Sequence, residues 1–142
     1  MKKQYKTYST DETKAVAAEL AAQTPPGSVY SLHGDLGAGK TVFASGFARA
    51  LGITEAVSSP TFTIVQEYPF ERGMFFHLDL YRIDNPEAAL AFGIDEFLYA
   101  EDGIALIEWP ERIHGFPPHT VYVDIRRGEK EEERIITVEQ AE

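Results

Sequence analysis

The chain has 142 residues, 44% of them apolar, with 13 basic against 23 acidic side chains and a formal net charge of −10. That length and apolar content predict one packed domain over residues 1–142, and so acidic a chain is a poor independent binder of nucleic acid, whose affinity comes mainly from Lys and Arg. Cysteine is absent, which excludes disulfides and thiolate metal sites and suits a cytoplasmic protein, while no apolar run nears the ~20 residues that span a bilayer and no signal-peptide core follows Met1.

Taken in chain order, Gln4 to Tyr8 reads as a short strand. Ser9-Thr10-Asp11-Glu12 fits a capping box, with Ser9 at the N-cap and Glu12 three residues on. The helix that follows carries Val16 and Leu20 and stops before Pro25-Pro26-Gly27. Ser28 to His33 is strand-like. A second helix runs from Lys40 to Leu51, with Phe43, Phe47 and Leu51 at i, i+4, i+8 and Gly52 placed as its C-terminal glycine.

Between that strand and that helix, Gly34-Asp35-Leu36-Gly37-Ala38-Gly39-Lys40-Thr41 matches G-x-x-x-x-G-K-[ST], the phosphate-binding loop. The glycines let the backbone turn with positive φ and bring N–H groups up to phosphate oxygens. Asp35, Leu36, Gly37, Ala38 and Gly39 would cradle the phosphates, and Lys40 would reach the β- and γ-phosphates. The Thr41 hydroxyl would ligate a bridging Mg²⁺. At a helix N-terminus, Lys40 is expected to be largely solvated when no nucleotide is bound. The motif in this setting predicts binding of a nucleoside triphosphate.

Ser58-Ser59-Pro60-Thr61 is a loop, and Phe62 to Tyr68 a strand. Arg72-Gly73 turns the chain into a strand over Met74 to Leu80. Asn85-Pro86 makes an N-cap and N1 pair opening a helix through Ala91. Gly103 to Ile107 is a buried-strand run ending at Glu108. Thr120 to Ile125 and Arg134 to Val138 form a closing hairpin across Glu129–Glu133, which reads as a solvated acidic turn. Alternation of helices and strands in the first half predicts an α/β fold, a three-layer sandwich of the P-loop NTPase kind. Its central sheet is mainly parallel, and the C-terminal hairpin makes it mixed.

A phosphate loop needs a carboxylate at the end of a neighbouring strand, and Asp79 and Glu108 both qualify. Glu108 closes the more continuously apolar run, as a strand buried on both faces would. Ser59-Pro60-Thr61 lies where such folds place a loop that senses the γ-phosphate, although an ordinary turn uses the same residues. His77 alternates with apolar neighbours and reads as a core or rim histidine rather than a base. Trp109-Pro110 either packs or shapes the pocket.

Together these residues resemble the bacterial TsaE family, the ATPase component of tRNA threonylcarbamoyladenosine synthesis. The likeness rests on the G-D-L-G-A-G-K-T loop, Ser59-Pro60-Thr61-Phe62, His77-Leu78-Asp79-Leu80-Tyr81-Arg82 and Glu108-Trp109-Pro110, and it covers essentially the whole chain. The D-L-Y-R and E-W-P blocks make it specific. The resemblance implies that Thr41 and Glu108 hold Mg²⁺ with ATP, that Asp79 assists near the γ-phosphate, and that Thr61 belongs to a switch-like loop. It places the adenine pocket around Thr10 to Thr13 and brings a basic residue of the C-terminal hairpin, matched here by Arg134, to the nucleotide. It implies TsaB and TsaD as protein partners, with tRNA engaged only indirectly through that complex and no membrane involved. One departure is Val42, where many members have a second Thr.

Two other classes share the loop. A GTPase would carry D-x-x-G and N-K-x-D; neither occurs, and Asn85 is the only asparagine. A small-molecule kinase would use lid arginines, for which Arg72, Arg82, Arg112, Arg126 and Arg127 are available, although no lid insertion separates the core elements. A nucleotide-dependent interaction module that hydrolyses nothing is the third reading.

Overall fold

The computed structural model describes the chain except for Leu36, Ala56, 58–64, Arg82, Asp84, His114, 141–142 and the side chain of Arg112. Strands β1 (Lys2–Thr7), β2 (Val29–Gly34), β3 (Val65–Phe70), β4 (Gly73–Asp79), β5 (Gly103–Glu108), β6 (Val121–Arg127) and β7 (Arg134–Gln140) form one seven-stranded sheet. Its order is β1-β7-β6-β2-β5-β4-β3. The four middle strands β6, β2, β5 and β4 run parallel, and both ends are antiparallel. The C-terminal hairpin does make the sheet mixed, and the β3–β4 hairpin does the same at the opposite edge.

Helices α1 (Thr10–Ala22) and α2 (Lys40–Ala50) cover one face, and α3 (Pro86–Phe92) with α4 (Ile94–Leu98) covers the other. The alternation of side chains along each strand divides the core accordingly. Tyr30 and Leu32 of β2, Phe75 of β4, and Ile104 and Leu106 of β5 pack under α1 and α2. Val29, Phe76, Leu78, Ala105 and Ile107 pack under α3 and α4. Phe47 anchors the first layer, edge-on to Tyr30 at 4.8 Å and stacked with Phe75 at 5.8 Å between ring centroids. Truncating so enclosed a ring to alanine costs about 3–5 kcal/mol.

The local signals act as the side-chain chemistry dictates. Ser9 Oγ accepts from the Glu12 N–H at 3.1 Å, while Glu12 reaches back to the Tyr8 N–H at 2.9 Å, one residue before the N-cap. Asn85 Oδ1 caps α3 by accepting from the Ala88 N–H at 2.9 Å. Helix α4 has no signature in the sequence pattern, because five residues opened by the positive-φ Gly93 are too short to show periodicity. Strand β5 is buried at every residue, as its apolar run predicts. In the acidic turn, residues 129–132 are exposed, but Glu133 is not solvated. It is 6% exposed, folded against Gly128 with the Lys6 ammonium 3.8 Å away.

Candidate nucleotide-binding site

The site lies at the C-terminal ends of the parallel strands, where open α/β sheets take their ligands. Strand β2 ends at Gly34, and the chain turns through Asp35, whose carbonyl accepts from the Ala38 N–H at 3.0 Å. Gly37 (φ 78°) and Gly39 (φ 108°) hold left-handed conformations before α2 opens at Lys40. Leu36 lies outside the described residues. Two arginines of the β6–β7 hairpin tie the loop down. Arg127 Nη2 donates to the Gly37 carbonyl at 3.2 Å, and Arg134 Nε donates to the Ala38 carbonyl at 2.8 Å. The loop therefore meets the N-terminus of an 11-residue helix, whose first-turn N–H groups suit an anion.

Register brings the two carboxylates together. Asp79 and Glu108 are partners across the parallel β4–β5 pair, and Leu32 of β2 pairs with Glu108 from the other side. Counting back by two, Phe75, His77 and Asp79 of β4 lie on the same face as Ile104, Leu106 and Glu108 of β5, the face under α2. Both carboxylates thus line one cavity of about 320 Å³ together with Gly37, Gly39, Lys40, Thr41, Val42 and Trp109. Glu108 is buried, and its Oε2 lies 2.5 Å from His77 Nε2. Asp79 is half-buried and accepts from the Tyr81 N–H at 3.0 Å. Burial pushes its carboxyl above the usual carboxylate range; the Tyr81 bond opposes this, and the Glu108 charge adds to it.

Lys40 does not stand in solvent as expected at a helix N-terminus. It is 6% exposed, and its Nζ finds no hydrogen-bond partner among the described residues. Instead the ammonium lies over the face of Trp109, 3.9 Å from the ring centroid. Trp109 has φ 60°, the only non-glycine residue described with positive φ, and its ring lies 4.9 Å from that of Tyr81. The aromatic residue after Glu108 therefore shapes the cavity by covering the lysine.

A second cavity, about 140 Å³, adjoins the loop and is lined by Ser9, Thr10, Thr13, Gly37, Gly39, Val42, Glu132 and Arg134. Thr10 at the start of α1 and Arg134 at the start of β7, far apart in sequence, meet here. Thr61, with Ser59, Pro60 and Phe62, lies outside the described residues, as does Arg82. Sequence reasoning left Arg127 among several available arginines and did not couple His77 to Glu108. The residue two places before Asp79 on one strand face was the available signal.

These donors fit a magnesium nucleotide. The loop offers two positive-φ glycines, a threonine hydroxyl and a buried ammonium with no hydrogen-bond partner among the described residues, and the ends of β4 and β5 add two carboxylates. Among the described residues no group of three or more His, Cys, Asp or Glu side chains forms a self-sufficient metal cage. Mg²⁺ does not require one, because it takes one or two carboxylates and fills its octahedron with phosphate oxygens and water.

A sequence profile of the family described as "Threonylcarbamoyl adenosine biosynthesis protein TsaE" matches residues 7–136. The tRNA threonylcarbamoyladenosine biosynthesis protein TsaE of Bacillus subtilis (strain 168) is 42% identical over 132 residues, which is 92% of this chain and 82% of that protein. The protein of the same name from Synechocystis is 45% identical over 102 residues, 70% of this chain and 64% of the relative, so the match spans just under two thirds of that protein. A crystal structure of Bacillus subtilis YdiB superposes with a TM-score of 0.81 at 36% identity, covering 100% of this chain and 87% of that one.

Proposed function

The chain belongs to the TsaE family, and from that premise we propose that it is the ATP-binding, ATP-hydrolysing component of tRNA threonylcarbamoyladenosine synthesis, acting with TsaB and TsaD in the cytoplasm. The observation that carries the nucleotide reading is the buried Lys40 ammonium, without a hydrogen-bond partner among the described residues, lining one cavity with Asp79 and Glu108. A buried cation without a hydrogen-bond acceptor costs free energy, and a triphosphate supplies the acceptor.

In this reading the loop N–H groups and the α2 N-terminus bind the phosphates. Lys40 exchanges the Trp109 face for the β- and γ-phosphate oxygens. Mg²⁺, held by Thr41 and Glu108, would neutralise charge developing on the phosphate oxygens during hydrolysis. Asp79, one strand over from Glu108, orients the attacking water. Thr10 and Arg134 take the adenosine end in the smaller cavity, and Thr61 belongs to the loop that reports the γ-phosphate. The net charge of −10 supports leaving tRNA binding to the partners. Among the described residues no helix is long and apolar enough to cross a membrane.

The test is steady-state ATPase of the purified chain, alone and with TsaB and TsaD singly and together, beside threonylcarbamoyl transfer to tRNA over many turnovers. Slow hydrolysis alone and a changed rate with the pair is the expected result. Fast hydrolysis indifferent to both proteins would defeat the assembly reading. Phosphorylation of a small metabolite by the isolated chain would make it a kinase, and binding without hydrolysis in any mixture would make it an interaction module.

A further inference from the structure

We propose that His77 is a positioning residue for Glu108: it holds the carboxylate in the orientation that the metal shell needs. The inference rests on the reading of Glu108 given above. His77 is fully buried at 0% exposure on β4, opposite Leu106 of β5, two residues before the Asp79–Glu108 pair. Its ring lies nearly parallel to that of Phe75, 6.4 Å between centroids at an interplanar angle of 19°. Nε2 is 2.5 Å from Glu108 Oε2, and Nδ1 has no hydrogen-bond partner among the described residues.

A carboxylate can only accept, so it is the Nε2–H that donates to Glu108 Oε2. Among the described residues the ring therefore makes one hydrogen bond, to Glu108, and leaves its other polar atom buried without a partner. As a filler of the core, phenylalanine would serve better, as Phe75 does on the same strand face. What the imidazole adds is a fixed direction. Glu108 has three side-chain torsions, and a donor seated in the sheet restricts them before any ligand arrives. Outer partners of this kind orient the groups that hold a metal, and their loss typically weakens metal affinity or activity by ~10–100-fold. His77 itself touches neither substrate nor metal in this assignment.

The experiment compares His77→Phe, which keeps the ring, with His77→Gln, whose amide can still donate to the carboxylate. Fold is checked by circular dichroism and thermal melting, and ATP affinity is measured calorimetrically without Mg²⁺. The expected result is that His77→Phe raises the Mg²⁺ concentration for half-maximal ATPase by ~10-fold. Metal-free ATP affinity should stay within about twofold, and His77→Gln should recover most of the loss. In a Glu108→Gln background, His77→Phe should add nothing, because a residue that acts through another has no effect once that other is gone. An unchanged Mg²⁺ requirement in His77→Phe, or additive effects in the double mutant, would overturn the proposal. If Glu108→Gln itself leaves the Mg²⁺ requirement unchanged, the metal-shell reading fails instead, and the two failures are thereby told apart. A readout in the unaltered protein needs no variant to fold: the His77 ring nitrogen resonances should shift when Mg²⁺ is added to the ADP-bound chain. Absence of that shift counts against the assignment.

Discussion

The Lys40 ammonium sits 3.9 Å from the centroid of the Trp109 ring, and this contact stands in for the hydrogen bonds that Nζ lacks among the described residues. A cation over an aromatic face gains about 0.5–2 kcal/mol. Desolvating an ammonium costs several. The Asp79 charge in the same cavity also attracts the ammonium, and a bound phosphate would supply the acceptors that Nζ lacks among the described residues.

Replacing Lys40 by methionine should accordingly separate stability from binding. The thioether keeps most of the volume, and the buried charge it removes is offset by the attraction to Asp79 lost with it. The variant should therefore stay folded, with a melting temperature within a few degrees of the native chain. Mg-ATP affinity measured by calorimetry should fall by at least ~10²-fold. Trp109 is the only tryptophan, so its emission reports the same exchange directly. ATP should change the emission saturably in the native chain and not in Lys40→Met. A well-folded variant with unaltered affinity would show that the loop is not the binding site.

Glu108 and Asp79 should differ in what they lose. Glu108→Gln keeps the shape and removes the charge, so hydrolysis should drop by ~10²-fold or more while nucleotide affinity changes only a few-fold. Asp79→Asn should lower the rate with little change in the Mg²⁺ requirement. A larger shift in Mg²⁺ dependence for Asp79→Asn would reverse the roles given to the two carboxylates.

Packing that supports the site from a distance can be tested at Gly46. A Cβ there would lie 2.7 Å from Lys14 Cα and 2.9 Å from the Lys14 carbonyl oxygen, so α1 and α2 approach too closely for any side chain. Gly46→Ala should destabilise by about 1–3 kcal/mol, read by denaturant melts. ATP affinity should remain within a few-fold, since the helix N-terminus at Lys40 is nearly two turns away. Native stability in this variant would mean that the helices can slide apart at little cost.

Acid stability should depend on Asp124 of β6. Burial pushes its carboxyl up, but hydrogen bonds from His33 and Arg126, with their charges, outweigh that and hold it below the usual aspartate value. A depressed carboxyl stabilises the fold above its unfolded value, about pH 4, and loses that contribution as the pH falls through the folded value. Asp124→Asn should therefore be less stable than the native chain at pH 6, with the gap closing below about pH 4. A gap that persists at low pH would assign the loss to packing rather than charge.

Much of this was legible in the one-dimensional chain because the determinants are local. The phosphate loop needs glycines at positions of positive φ, and Gly37 and Gly39 take them. Ser9 and Asn85 start helices through bonds spanning three residues, and the apolar run of β5 reports burial on both faces. The parallel direction of the central strands follows from strand–loop–helix alternation, whereas their order was set by the fold. Other features depend on contacts between residues remote in sequence, which no local pattern encodes. The β4–β5 register made Asp79 and Glu108 neighbours and placed His77 behind Glu108. The return of the β6–β7 hairpin set Arg127 and Arg134 on the loop carbonyls and brought Arg134 to Thr10. Lys40 shows the difference most directly. Its place in the motif assigned it to phosphate, but its burial was decided by Trp109, folded over it from the end of a strand 69 positions further along the chain.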